Sequence, residues 1–231
     1  MPTLPDLILL HGALGSESQL EKIKDALREN FTLYSYNLSG HGGKLVPQQF
    51  SISDFEEEFI QFLDSNSLTA VNVFGYSMGG YIALQAAKNN PGRIARIMTL
   101  GTMLKWNPEI AANETKMLNP EIIEAKVPKF AEQLKQAHAP QAWKLIMHRI
   151  VDMMIGLGNG DAMTTKDFEQ INIPVLVGLG SLDQMVKKED ALEMVEHLPK
   201  GEFRLFEGWK HPIEGVDAGV LAKVCKDFFI S

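Results

Sequence analysis

The chain has 231 residues, 45% of them hydrophobic, and a formal net charge of −7. This length and apolar content suffice for one domain with a large core, and the acidic balance argues against nucleic acid, because phosphate binding needs clustered Lys and Arg. One cysteine leaves no internal disulfide, as in a reducing compartment. With no visible signal peptide and no apolar run of the ~20 residues that span a bilayer, we expect a cytoplasmic protein without a membrane partner.

Strand-like and helix-like segments alternate along most of the chain. The predicted strands lie near residues 6–10, 32–36, 69–74, 94–100, 173–179 and 202–206. The predicted helices lie near residues 17–29, 53–65, 78–89, 187–197 and 214–229. This alternation predicts an α/β fold, with a doubly wound, mostly parallel sheet of about six strands flanked by helices. Ligands then bind beyond the carboxyl ends of the strands.

The segment 103–168 interrupts the alternation with four prolines and short helical stretches. We expect it to form a helical cap inserted into a single domain, 1–231. Six of the chain's 11 methionines lie in this segment, and methionine-rich surfaces adapt to variable apolar ligands. Any single one can equally belong to an apolar stripe that packs on the sheet. The candidate pocket residues are Met103, Trp106, Trp143, Met147 and Met154.

The stretch Gly75-Tyr76-Ser77-Met78-Gly79 lies between a β-prone run and a helix-prone run. Gly-x-Ser-x-Gly in this setting is typical of a nucleophile elbow, in which a serine adopts a strained conformation at a tight strand-to-helix turn. Glycines two residues before and after the serine avoid collisions across the turn. By itself the pentapeptide is also compatible with a small-residue turn that packs a helix on a strand.

A serine nucleophile needs a base, an orienting acid and donors for the oxyanion. Asp183 directly follows the apolar run 175–179, and His211 follows another short strand. Near the N-terminus, the loop after the first strand can present the backbone N–H of Ala13, which would pair with that of Met78 as an oxyanion hole.

With these features the chain resembles the α/β-hydrolase superfamily over nearly its whole length, in an esterase-like and menaquinone-synthase-like branch. The resemblance also rests on the order Ser, Asp, His and on loops 11–12 and 37–42. The family more often has Asp and Pro where this chain has Asn37 and Ser39. It implies a catalytic triad of Ser77, Asp183 and His211, with Ala13 and Met78 as oxyanion donors.

The resemblance further implies a carboxylesterase-like serine hydrolase that cleaves a small apolar carboxylic ester or thioester through an acyl-Ser77 intermediate. Two alternatives stay open. One is a triad-dependent C–C hydrolase or lyase, for which Arg149, the arginine of the cap segment, would favour a carboxylated substrate. The other is a slow-turnover, ligand-sensing signalling protein. The sequence predicts no particular oligomeric state.

Three smaller expectations concern polar residues outside the triad. No cofactor is expected, and the histidines show no paired spacing for a metal site. We expect His11 to fix the candidate oxyanion loop and His41 to hydrogen-bond locally. The acidic run Glu56-Glu57-Glu58 reads as a solvated helix face.

Overall fold

A computed structural model of the chain describes residues 4–230. Met1 to Thr3, on which the expectation of no signal peptide partly rested, lie outside the described residues. Within that range the strands are β1 Asp6–Leu10, β2 Thr32–Ser35, β3 Val71–Tyr76, β4 Ile94–Leu100, β5 Val175–Gly180 and β6 Gly201–Phe206. They form one sheet in the spatial order β2-β1-β3-β4-β5-β6, and each neighbouring pair is parallel. The predicted α/β fold with a six-stranded parallel sheet is confirmed.

Helices connect the strands. They are α1 Glu21–Leu27, α2 Ile52–Ser65, α3 Met78–Asn89, α4 Pro108–Thr115, α5 Pro120–Lys126, α6 Pro128–His138, α7 Trp143–Gly156, α8 Thr165–Phe168, α9 Lys188–Val195 and α10 Ala218–Phe229. Between residues 4 and 230, none of the helices has the length and apolar character needed to cross a bilayer.

The sheet has an apolar core on each face. Along β1, Leu7 and Leu9 belong to one core, and Ile8 and Leu10 belong to the other. This alternation is expected because successive side chains of a strand point to opposite faces. Helices α1 and α10 cover the first face and α2 and α3 cover the second.

Cys225 lies on the buried side of α10 and is fully buried, with its Sγ 3.7 Å from Met98 Sδ. Burial raises the pKa of this thiol to about 12. The chain's cysteine therefore belongs to the apolar face of its last helix.

The proline-rich segment between β4 and β5 folds into five of the helices, α4 to α8. Its prolines break the segment into short helices because α4, α5 and α6 each begin at a proline, a residue suited to the first helical position. The side chains of Asn107 and Asn119 cap α4 and α5, accepting N–H bonds from Ile110 and Ile122 at 2.8 and 2.9 Å. The local sequence therefore sets where these helices start.

The expectation that Glu56-Glu57-Glu58 forms a solvated face is wrong for Glu56. This residue is buried, and its carboxylate accepts hydrogen bonds at 2.8 to 2.9 Å from the side-chain amides of Gln85, Asn89 and Asn90. Consecutive residues of a helix point about 100° apart, so one member of an acidic run can face α3 while the next faces solvent. Glu56 thus joins α2 to α3.

Candidate active site

Ser77 lies at the junction of β3 and α3 with a left-handed backbone, φ 50° and ψ −117°. A non-glycine residue in this region is strained and persists only when its surroundings fix it. The Ser77 N–H donates to the Leu100 carbonyl at 2.9 Å, and the Thr102 hydroxyl donates to the Ser77 carbonyl at 2.9 Å. These bonds from the end of β4 hold the turn in place.

The two glycines of the motif are required by contact. A Cβ on Gly75 would collide with the backbone of Gly80, and one on Gly79 would collide with the carbonyl oxygens of Leu10 and His11. The chain can therefore make this sharp turn next to β1 only with glycine at both positions, as the sequence argument expects.

Asp183 and His211 form a hydrogen-bonded pair beyond the carboxyl ends of β5 and β6. His211 Nδ1 donates to Asp183 Oδ2 at 2.8 Å, and the side chains are 13% and 1% exposed. The other carboxylate oxygen, Oδ1, accepts the N–H groups of Met185 and Val186 at 2.9 and 3.0 Å. Burial alone would raise the pKa of Asp183, but the bond from His211 and these N–H groups leave it below its ordinary value. A carboxylate held in this way fixes the imidazole tautomer and leaves Nε2 free to accept a proton.

Two residues that support this pair were not found from the sequence. The Tyr76 hydroxyl donates to the His211 carbonyl at 3.1 Å, and burial raises the pKa of Tyr76 above its ordinary value. At the end of β4, Gly101 has φ 62°, and a Cβ there would lie 3.2 Å from His211 Nδ1 and 3.3 Å from Asp183 Oδ2. A glycine directly after a strand was the only available signal, and it is common in turns.

The loop after β1 lies against Ser77. A Cβ on Gly12 would lie 3.2 Å from the Ser77 Cβ, and both Ala13 and Met78 line the cavity that Ser77 opens into. Met78 is the first residue of α3, where a backbone N–H has no acceptor within the helix. The structure therefore places the two candidate oxyanion donors on the same cavity as the serine.

His11 holds this loop from behind. Its Nδ1 donates to the Gly12 carbonyl at 2.9 Å and its Nε2 accepts the Leu38 N–H at 3.1 Å. Full burial lowers the pKa of His11 to about 4, so the ring is neutral at physiological pH. His11 does not line the cavity, and its contacts agree with a role in fixing the loop.

His41 and His138 pack beside His11. The ring centroid of His41 lies 5.2 Å from the ring centroid of His11 and 5.7 Å from that of His138. His41 Nδ1 donates to the Ser39 carbonyl at 3.1 Å, the local bond expected from the sequence. His138 Nε2 donates to the Leu14 carbonyl at 3.1 Å, and its Nδ1 accepts the Gly42 N–H at 3.2 Å. Burial lowers the pKa of His41 and of His138.

A narrow cavity opens above Ser77. The volume in which the centre of a water molecule can lie is about 50 Å³, room for only a few waters. Its walls come from the sheet edge, the loops and the segment between β4 and β5. The lining residues are Ala13, Ile52, Ser77, Met78, Tyr81, Gly101, Met103, Trp106, Glu114, Met153, Met154, Leu157, Met185, Val186 and His211.

The structure divides the pocket residues expected from the sequence. Met103, Trp106 and Met154 line the cavity. Trp143 and Met147 do not, and this expectation is corrected: they are 6% and 0% exposed and pack in a separate apolar cluster with Leu134 and other residues of α5 and α6. They lie on the face of α7 that meets its neighbouring helices, and the apolar periodicity of a helix does not say which neighbour covers it.

Arg149 is also absent from the cavity wall. Its Nη1 lies 3.8 Å from Asp152 Oδ2 on the same helix. Within residues 4–230, no group of three or more His, Cys, Asp or Glu side chains is arranged to hold a metal ion.

Comparisons with known proteins agree with this architecture. Residues 5–151 match the model of a family described as alpha/beta hydrolase fold. The pimeloyl-[acyl-carrier protein] methyl ester esterase of Aliivibrio fischeri is 24% identical over 232 aligned positions, which cover 89% of this chain and 86% of that protein. The 3-oxoadipate enol-lactonase 1 of Acinetobacter baylyi is 23% identical over 193 aligned positions, which cover 79% of this chain and 73% of that protein.

Among solved structures, the enol-lactonase from Burkholderia xenovorans LB400 superposes with a TM-score of 0.79 at 16% identity, covering 99% of this chain and 92% of that one. At this identity the superposition speaks for the fold alone. The family match spans well over half of the sequence, and the parallel sheet with its strand-to-helix turn accords with it. This chain belongs to the alpha/beta hydrolase family.

Proposed function

We propose that this protein is a serine hydrolase that cleaves a small apolar carboxylic ester or thioester through an acyl-Ser77 intermediate. One observation carries the proposal. Ser77, at its strained turn, and His211, held by Asp183, line the same narrow apolar cavity. Nucleophile, base and orienting acid are the three parts that such chemistry requires.

The reaction follows from these positions. His211 Nε2 takes the Ser77 proton as Oγ bonds to the acyl carbon, and the carbonyl electrons move onto oxygen. The N–H groups of Ala13 and Met78 stabilise that oxyanion, and each such donor is typically worth about 3 kcal/mol. As the oxyanion collapses, His211 gives its proton to the departing alcohol or thiol. Water then attacks the acyl carbon and gives a proton to His211. As the second oxyanion collapses, the bond to Ser77 Oγ breaks, His211 returns the proton to that oxygen, and the acid leaves.

The names of the relatives support ester chemistry. One is a methyl ester esterase and another is an enol-lactonase, and both names describe hydrolysis of a carboxylic ester bond. We propose that the segment 103–168 acts as a cap, because Met103, Trp106 and Met154 from it form part of the cavity wall. The pairing of Arg149 with Asp152 gives no support to the alternative of a carboxylated C–C substrate recognised by that arginine.

The first test is labelling by a fluorophosphonate, read by intact mass and peptide mapping. We expect one label per chain, on Ser77, and none in Ser77→Ala. In His211→Ala we expect labelling to slow by several hundredfold or more, since the base is gone. Hydrolysis of a short-chain ester should fall about 10⁴-fold in Ser77→Ala.

The control is Ser65→Ala, which changes an exposed serine on α2 and should label like wild type. An absence of label on folded wild-type protein would contradict the proposal. So would ester hydrolysis that survives Ser77→Ala within a few-fold.

A further inference from the structure

One lining residue of the cavity is not used by the proposed mechanism. Glu114, on α4, is half-buried and contributes to the cavity wall together with Ser77 and His211. Among residues 4–230, no side chain or backbone group forms a hydrogen bond or an ion pair with its carboxylate. Partly burying a carboxylate without a partner is unfavourable, so packing gives no reason for glutamate at this position.

Other carboxylates near the site are satisfied. Asp183 is bound by His211 and two backbone N–H groups, and Glu58 accepts from the Ser39 N–H and from Lys44 Nζ at 2.9 and 2.7 Å. Glu114 differs because its side chain lines both the cavity above Ser77 and a neighbouring surface groove, while no described residue forms a hydrogen bond or an ion pair with its carboxylate.

The charge of the cavity wall is therefore set by Glu114. No lysine or arginine of residues 4–230 is in the wall, and Asp183 is covered. Arg149 pairs with Asp152 away from the cavity. Most of the remaining wall is methionine and other apolar side chains, which offer no hydrogen bonds and screen a charge less than bulk water does.

The electrostatics of Glu114 agree with this position. Burial raises the pKa of its carboxyl above the ordinary value, while the proximity of His211 acts in the opposite direction. A ligand cation beside the carboxylate would favour its charged form and replace the water it lost on burial. A ligand carboxylate would meet like charge.

We propose that Glu114 determines specificity and selects esters or thioesters that carry a protonated amine at the far end of the part occupying the cavity. The inference rests on the proposed function, since it assigns the substrate class of the same site. The cavity is small and mostly apolar, which suits an unbranched alkyl chain between the ester and the amine. Esters with a terminal carboxylate are disfavoured.

A matched series of methyl esters tests this. Methyl 6-aminohexanoate, methyl heptanoate and monomethyl pimelate carry an ammonium, a methyl and a carboxylate group on the same chain length. We expect kcat/KM, from methanol release at pH 7.5, to be about tenfold higher for the amine than for heptanoate and about tenfold lower for the pimelate. In Glu114→Gln, which keeps the shape and removes the charge, the three values should fall within about threefold of one another.

The control is Glu109→Gln, which removes an exposed carboxylate from the first turn of the same helix and should keep the wild-type ratios. Equal rates for the three esters in wild type, a preference for the pimelate, or ratios unmoved by Glu114→Gln would overturn the inference. Fluorophosphonate labelling of each variant separates the two failures. If Ser77 labels but charge discrimination is absent, only the inference falls, whereas unlabelled wild type overturns the proposed function as well.

Discussion

Gly101 shows how closely the backbone approaches the His211–Asp183 pair. It lies in the left-handed region at the end of β4, and a Cβ would come within 3.2 to 3.3 Å of both side chains, which is closer than ordinary van der Waals contact. Its N–H donates to the Gly178 carbonyl at 2.9 Å. This bond holds the turn against β5, so the backbone cannot easily move away from His211 and Asp183. The side chains of His211 and Asp183 therefore pack directly against the backbone of Gly101, which leaves no room for a side chain there.

We expect Gly101→Ala to lower the rate of fluorophosphonate labelling about 10- to 100-fold, because the methyl group displaces the imidazole from the serine. The strained backbone should also cost about 1 to 2 kcal/mol of unfolding free energy, measured by urea titration.

Gly92→Ala is the matched control for this change. Gly92 also has a positive φ, 89°, but no atom lies within 4 Å of a Cβ there. It should lose comparable stability and keep its labelling rate. Equal losses of labelling in the two variants would show that strain alone, and not contact with the pair, is responsible.

The sequence predicted which candidate residues would come together, and their catalytic role stays a prediction. Ser77, Asp183 and His211 could be proposed because each follows a recognisable strand and the motif demands glycines at fixed spacing. The positions of Glu114 at the cavity and of Tyr76 beside His211 could not be predicted, because a glutamate on a short helix and a tyrosine within a motif carry no pattern that indicates a distant neighbour. Those contacts depend on tertiary placement.

At the scale of elements, α6 is fastened to the loops beneath it through its last residue. His138 receives the Gly42 N–H and donates to the Leu14 carbonyl. Its side chain is buried, and both bonds are partly shielded from water. One side chain thus connects the segment between β4 and β5 to the loops that follow β1 and β2.

We expect His138→Leu to loosen this connection, since it leaves the Leu14 carbonyl and the Gly42 N–H unsatisfied. Each buried unsatisfied group costs about 1 to 3 kcal/mol. Amide hydrogen exchange at Gly42 and along α6 should accelerate at least tenfold. His148→Gln, an exposed change on α7, serves as control. Unchanged exchange in His138→Leu would refute the anchoring role.

The strands and the helices between them were predictable because hydrophobic periodicity is a local signal, and the prolines of segment 103–168 indicated short helices there. Which neighbouring element covers each helix face could not be predicted from the sequence. Trp143 and Met147 lie on an apolar helix face in either reading, and only the fold shows that other helices, and not the cavity, cover that face. Glu56 was misread for the same reason.

For the molecule as a whole, the three buried histidines make stability depend on pH. Burial lowers the pKa of His11, His41 and His138 in the folded state, whereas the unfolded chain titrates near 6.5. Above that pH both states are neutral and nothing is lost. As the pH falls below 6.5, the histidines bind protons in the unfolded state but stay neutral in the folded state, so the free energy of unfolding declines. The decline continues until the pH reaches the pKa of the folded state, which is about 4 for His11.

We expect the unfolding free energy to fall by at least about 1 kcal/mol per pH unit between pH 6 and 5, which is the share of His11 alone, and the lowered pKa values of His41 and His138 add to this loss. His41→Phe should reduce that slope, since it removes one of the three histidines with a lowered pKa and keeps an aromatic ring among the same neighbours. Urea titrations at several pH values measure it, with His148→Gln as control. A slope that His41→Phe does not change would contradict the assignment.

In the folded protein, the Cys225 thiol is expected to react very slowly with thiol reagents. The thiolate is the form that reacts with disulfide reagents, and a fully buried thiol with a pKa of about 12 supplies almost none of it. Since this is the chain's one cysteine and it lies in the core beneath the sheet, each reaction with such a reagent marks one opening of that core. The rate of that reaction thus measures how often the core opens, at a residue that does not line the cavity above Ser77.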